Sequence, residues 1–600
     1  MFSLAALAQT STIKYSVSFP NAVHHEANIA LNISKAPAGP LRVRVSRSSP
    51  GRYATHEFGK NIYDVHAFDK TGKMIEINQV MGDVYEIPKH NGDLKITYTV
   101  FGNWTDGTYL GIDETHAHMN MPATFMWVKG LEHQPIEITF NDLNKYGWKI
   151  ATQLKPGSDQ NVFTAPNLQY FMDSPVELSA CKQVSWTDEN PGGLKQTIKF
   201  SVHSDDSQLV VDNYGKMAQG TVAEAKAVFG ELPRFDYGSY IFLNDVHPEN
   251  GGDGMEHRNS TVIVERTPKV EGFENDLLST ISHEFFHAWN VERIRPRSLE
   301  PFNFEQANMS EALWFAEGFT QYYGELILKR AGYRTLTDYC NTLTRLVNSV
   351  LNSPGAKSYS AIRMSRHAVF TDAGISVDQN NNVNSITSYY QYGAIIALAL
   401  DLRLRSEFNL TLDDYMRAVW KAHGKTEKPY TLPDLQKILS TLTNNTFAGK
   451  FFQQYIYGTE KNNYEKLLSY AGLVLRKAAP GKASLGVLRL LPANGNVRVA
   501  ANTIKGSPAY QAGLDNGDYL KKINEDELKS PDDLTTLLTK YKPGEEVTLT
   551  FVHRGIVKNS KIVLQEDTLL EVIPSEVAGT KINSEMQSFR DKWLSSRVQE

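Results

Sequence analysis

Only two cysteines, Cys181 and Cys340, occur in 600 residues. That scarcity leaves room for one disulfide at most, in an oxidising compartment, and the two thiols, in separate regions, are expected to be free and buried. Positive charge is not in excess either: 62 Lys and Arg stand against 67 Asp and Glu, a formal charge of −5. A protein that grips a phosphate backbone needs a positive face, so nucleic acid is not an expected partner. Long apolar runs are missing too. The run from Ala394 to Leu400 stops at Asp401, well short of the roughly eighteen residues that read as a bilayer crossing, so no membrane span is expected.

What is present is globular material, 41% apolar, 22% charged and 10% aromatic, in a length that calls for several cores. Residues 1–9 are a short apolar stretch ending in Ala6-Leu7-Ala8. They read as the remnant of a signal peptide and so give a secreted or periplasmic setting, with a buried N-terminal strand as the other reading because no basic residues precede the stretch. Residues 10–172 carry short alternating runs such as Ile13-Lys14-Tyr15-Ser16-Val17 and Leu94-Lys95-Ile96-Thr97-Tyr98, which predict an all-β, sandwich-like domain. Residues 173–457 open on strands and pass into long helical spacings, an α/β-to-helical domain. Residues 464–567 return to short strands with one helix from Pro531, and 568–600 form a charged C-terminal tail.

The chemistry concentrates at His283-Glu284-Phe285-Phe286-His287, inside a run whose Leu277, Leu278, Ile281 and Phe285 have helical spacing. Histidines at i and i+4 share one helix face, so both imidazoles reach a single Zn²⁺, and the glutamate between them sits beside the open coordination position. A catalytic zinc needs a third protein ligand. Among the downstream carboxylates, Glu317 has the setting: in a helix from Glu311 to about Lys329 capped by Ser310, it follows Leu313 by four and Trp314 by three and so faces inward. A buried carboxylate needs a partner, and a metal is one.

His283-Glu284-Phe285-Phe286-His287-Ala288-Trp289-Asn290, followed by Trp314-Phe315-Ala316-Glu317-Gly318, resembles the gluzincin zinc metallopeptidases. The run on to Arg295-Pro296 resembles the glycyl aminopeptidase family that carries a PDZ domain. The long interval between His287 and Glu317 fits that family and departs from the aminopeptidase N group. The resemblance implies a thermolysin-like catalytic domain with one zinc per chain. Gly254-Met255-Glu256-His257 is similar to the G-x-M-E-N motif of aminopeptidases, with His257 in the Asn place. It implies that Glu256 binds the substrate ammonium, a charge-assisted bond suited to an enzyme that acts only at free N-termini. Tyr390-x-x-Gly393 is similar to the segment that supplies the oxyanion-stabilising tyrosine of related aminopeptidases, with Tyr392 and Tyr389 as alternatives.

Farther on, Leu485-Gly486-Val487, then Gly506-Ser507-Pro508-Ala509 and Gly513-Leu514 through Gly517-Asp518 resemble a PDZ domain of the bacterial protease-associated type. Its loop at Leu485, Gly486 and Val487 is expected to bind a peptide C-terminus, the other reading being a packing module with an unused groove. The expected protein is a zinc-dependent aminopeptidase that takes Gly or Ala from peptides with a free N-terminus, using a zinc-activated water with Glu284 as general base. Two alternatives stand beside it: a zinc endopeptidase with the same metal site, and a PDZ peptide-binding protein with a degenerate peptidase domain.

Overall fold

The computed structural model describes residues 11–372, 378 and 380–598, so the signal-peptide reading of residues 1–9 lies outside the described residues. Alternation along Thr12–Asn21 buries Ile13, Tyr15, Val17 and Phe19 on one face. This strand pairs antiparallel with Glu26–Ser34 and parallel with Ile136–Phe140, near the middle of an eight-stranded sheet. Two four-stranded sheets complete the N-terminal β-rich domain. One of them contains Val176–Ser179, whose Val176 and Leu178 belong to the same apolar core as Ile13 and Val17. The domain therefore runs past the boundary expected at 172, and Asp173-Ser174-Pro175 lies inside it.

The catalytic domain opens on a five-stranded sheet in the order Lys182–Glu189, Lys195–His203, Ser239–Val246, Ser260–Glu265, Asp253–His257. The inner three strands are parallel, and the edge strand Asp253–His257 returns antiparallel. Against this sheet packs the motif helix Glu274–Phe286; the helix Gly318–Arg330 packs on that helix, and Tyr389–Phe408 packs on Gly318–Arg330. Their shared core includes Phe285, Trp289, Trp314, Tyr323 and Ile396.

The PDZ domain has its own sheet, its helix Pro531–Leu538, and a small core of Leu485, Val497, Leu520, Leu549 and Phe551. It is looped out of the catalytic domain. The strand Leu473–Lys477 before it pairs antiparallel with Leu570–Pro574 after it, and Asp567 N–H donates to Lys482 O at 3.0 Å. Residues 464–477, expected in the PDZ domain, contribute Tyr464, Leu468 and Leu473 to the catalytic core instead. Nor do the described residues of the expected C-terminal tail, 568–598, hang free of the catalytic domain. Their charge hides a few apolar residues, Val572, Trp593 and Leu594, that are buried in the same core, and Trp593 Nε1 donates to Tyr322 Oη at 2.9 Å. Cys181 and Cys340 are both free and buried.

Candidate active site

The motif helix ends at Phe286, one residue before His287, which keeps helical backbone angles as the cap. Leu277, Leu278, Ile281 and Phe285 fix the buried face of the helix, and His283 and His287 leave it toward a cleft. The expected single helix from Glu311 is broken in two. A short turn, Leu313–Ala316, precedes the helix Gly318–Arg330, and Glu317 stands at the joint. Asn290 Nδ2 holds that joint by donating to Phe315 O at 3.0 Å and Ala316 O at 3.1 Å. The joint also admits another backbone, because a Cβ on Gly318 would fall 2.6 Å from Gly393 C. The helix Tyr389–Phe408 thus lies backbone to backbone on Glu317, which explains the glycine three residues after Tyr390.

These elements bring His283, His287 and Glu317 together. His287 Nε2 lies 3.2 Å from both His283 Nε2 and Glu317 Oε2, and His283 Nε2 lies 3.7 Å from Glu317 Oε2. Donors on a tetrahedral zinc, at bonds of about 2.0–2.1 Å, stand about 3.4 Å apart, so the three fit one ion. Two imidazoles and a carboxylate are also a zinc-type donor set. Their supports are in place: His287 Nδ1 is 2.5 Å from Asn290 O, and Tyr53 Oη donates to Glu317 Oε1 at 2.7 Å. Burial opposes ionisation of Glu317, but His287 and His283 hold its carboxyl well below the usual range.

Glu284 stands beside these donors with its Oε2 buried and unpartnered among the described residues. Burial raises its pKa well above the ordinary value, and Glu256 and Glu317 add to that effect against the pull of His287. Space for it is made by Gly254, where a Cβ would lie 2.8 Å from Glu284 Cδ. Glu256, two residues along the same edge strand, is 5% exposed, and its carboxylate, that of Glu284 and a His287 nitrogen all lie within 4.8 Å of one another. Burial, with Glu317 and Glu292 adding, pushes the Glu256 pKa up to about 7 against His287. His257, which occupies the Asn place of the motif, turns away to Asp173 at 2.9 Å, so the substitution does not reach the cleft.

The cleft has a volume of about 390 Å³ and is lined by Gly254, Glu256, His283, Glu284, His287 and Glu317 and by Tyr390, whose ring centroid is 6.0 Å from that of His283. The alternative tyrosines do not line this cleft: Tyr389 packs edge-on to Tyr53 and stacks on Tyr390, and Tyr392 Oη accepts from Lys461 Nζ at 2.8 Å. The PDZ loop is not part of this cleft. Gly486 and Val487 line a larger cavity of about 890 Å³ between the PDZ and catalytic domains that also reaches Tyr390, while Leu485 is buried in the PDZ core. Gly486 N–H donates to Ser484 Oγ at 3.0 Å.

Sequence reasoning missed the contribution of the N-terminal domain. Gly51 and Arg52 line the cleft and Tyr53 supports Glu317. The Arg52 guanidinium pairs with Asp253 and lies 3.5 Å from Asp372. Gly51 has φ +77°, and a Cβ there would lie 2.6 Å from Glu256 Oε2. No spacing rule links a loop at 51–53 to a glutamate at 317; the glycine alone hints at a close approach.

Family models match three stretches of the sequence. The Peptidase M61 N-terminal domain covers residues 14–180, the M61 glycyl aminopeptidase domain 276–396, and a PDZ domain 483–564. The chain belongs to the M61 glycyl aminopeptidase family. As a member it is a zinc aminopeptidase, a hydrolase, that carries a PDZ domain. The fold is shared with an aminopeptidase N family protein from Idiomarina loihiensis, 23% identical, with a TM-score of 0.83 over 97% of this chain and 100% of that one. An M1 zinc metallopeptidase from Deinococcus radiodurans is 13% identical over 76% of this chain and 94% of that one, with a TM-score of 0.44. Among curated proteins, the zinc metalloprotease RasP of Shouchella clausii is 36% identical over 75 residues, 12% of this chain and 17% of that protein, so the chain spans about a sixth of that relative's length.

Proposed function

We propose that this family member removes the N-terminal residue, Gly or Ala by family analogy, from peptides with a free N-terminus. In this reading His283, His287 and Glu317 hold one catalytic zinc per chain. Bound there, zinc supplies the Lewis acidity that brings water within reach of deprotonation near neutral pH. Glu284, with a raised pKa and a free buried oxygen, takes the proton and returns it to the leaving amine. Tyr390, whose hydroxyl stays protonated because burial and Glu317 raise its pKa, donates to the developing oxyanion. Glu256 accepts hydrogen bonds from the substrate ammonium. The PDZ loop is proposed to take peptide C-termini, and the Ala6-Leu7-Ala8 pattern supports a secreted or periplasmic setting.

The observation that carries the exopeptidase reading is the buried Glu256 carboxylate beside the donor set, within 4.8 Å of Glu284 and His287 atoms. A panel of free and N-acetylated peptides, with and without a chelator, tests it. The wild type should cleave free peptides far better, and only when metal is present. Glu256→Ala should lose roughly 10²–10³-fold in kcat/KM on free peptides, with little further loss on acetylated ones, because both changes remove the same ion pair. Equal cleavage of both peptide classes by the wild type would make the enzyme an endopeptidase.

A further inference from the structure

Away from the zinc donors, the joint between the two large domains gathers a second set of ligand-type side chains. His118 and Glu177 are cross-strand partners in an N-terminal-domain sheet, with His116 two residues before His118. His203 and Asp245 are cross-strand partners in the catalytic sheet. All five are at most 8% exposed. The family models and the reaction leave this cluster without a role.

Ligand atoms of His116, Glu177 and His203 all lie within 4.8 Å of one another. The outer oxygens are engaged: Glu177 Oε2 lies 3.2 Å from His118 Nδ1, and Asp245 Oδ1 lies 2.9 Å from His203 Nδ1. The inner atoms are not. His116 Nδ1, Glu177 Oε1 and Asp245 Oδ2 are buried without hydrogen-bond partners among the described residues. His116 Nδ1 lies 3.4 Å from each of those two oxygens, and His203 Nδ1 lies 4.0 Å from Glu177 Oε1. A proton shared between imidazole and carboxylate draws the heavy atoms to about 2.7–2.9 Å. Ligands around a tetrahedral zinc stand about 3.4 Å apart, and the catalytic donors show the same range, 3.2 to 3.7 Å. Two buried carboxylates whose ionic partners are all imidazoles need a positive charge beside them, which a bound cation or a protonated imidazole supplies.

We propose that His116, Glu177 and His203, with Asp245 beside them, bind a second divalent ion of the zinc class that ties the N-terminal domain to the catalytic sheet, His203 Nδ1 giving up its proton and its hydrogen bond to Asp245 Oδ1 for the ion. His118 holds Glu177 by its far oxygen, the support that metal-binding carboxylates commonly have. Ligands from two domains make the ion a staple, so its binding energy adds to the stability of the joint.

The test is metal analysis of the full-length chain. Wild type should carry about two zinc ions, and His287→Ala about one, because the second site has its own ligands. Adding Glu177→Gln or His203→Gln to His287→Ala should remove the remaining ion. In the wild-type background His203→Gln should keep turnover while losing one equivalent of zinc and the zinc-dependent rise in Tm. Because a buried substitution can disturb folding by itself, a second measurement uses cobalt-loaded His287→Ala, whose visible absorption should report a tetrahedral N/O site. A His287→Ala chain that is folded by circular dichroism yet retains no zinc and gives no such spectrum overturns the proposal. Had the catalytic ligands been misassigned, His287→Ala would keep both ions and its activity while His203→Gln still lost one, so the two readings fail separately.

Discussion

Glu284 and His56 show how single groups are set by their surroundings. Glu284 binds nothing that a bound metal needs, so Glu284→Gln should keep its zinc yet lose roughly 10³-fold or more in turnover, as measured by metal content and kcat on one preparation. Near-normal turnover in the metal-loaded variant would move the base role to another carboxylate. His56 is buried, stacks on Phe58, and has Nδ1 3.1 Å from Tyr109 Oη. Burial, with Arg52 adding, lowers its pKa from 6.5 to about 3. The folded chain therefore keeps His56 neutral where the unfolded chain protonates it. Stability from this group is fully present above about pH 6.5 and is lost as pH falls toward 3, by up to about 1.4 kcal/mol per pH unit. Urea midpoints should fall through that window in the wild type and fall less steeply in His56→Phe.

At the scale of elements, the site depends on two helices meeting without side chains between them. A Cβ on Gly393 would lie 2.7 Å from Trp314 C and 2.7 Å from Gly318 Cα, so main chain has to move to admit it. Gly393→Ala should cost about 1–3 kcal/mol or more, and it should weaken zinc binding by shifting Glu317 and Tyr390. Gly324→Ala is the control: its Cβ would meet His283 Cα at 3.4 Å, an ordinary contact, and both stability and zinc affinity should be nearly kept. Equal damage from the two substitutions would mean that helix propensity, not close approach, governs the joint. The motif helix was legible because i, i+4 spacing is local. The break at Glu317 was not, because Asn290 and Gly393 impose it from other parts of the chain.

For the whole molecule, the PDZ domain is an insertion and the C-terminus is structural. Lys482 and Asp567 are hydrogen-bonded neighbours, so a short glycine linker can replace residues 483–566. That deletion should leave a folded, zinc-binding peptidase. Truncation after residue 567 removes the strand Leu570–Pro574 and the helix Ser584–Leu594, uncovering Tyr322 and the pocket of Trp593. The shorter chain should be insoluble or lose its cooperative melt, since filling a site the size of a buried Trp contributes about 3–5 kcal/mol. A soluble, cooperatively folding chain ending at 567 would show that the terminal segment is dispensable.

The sequence by itself determined which residues are the candidate metal donors. His283, Glu284 and His287 are tied by helix geometry, Glu317 by its apolar neighbours, and the three-domain order by changes in hydrophobic period. Only the tertiary structure decided what lies between distant segments. It put Tyr53 on Glu317 and the Gly51 loop on Glu256, drew Glu177 to His203, and returned Trp593 to the catalytic core. The physical reason is the range of the signals. Periodicity and spacing report forces between residues a few positions apart, whereas these contacts are chosen by which faces remain to be buried once the local elements have formed.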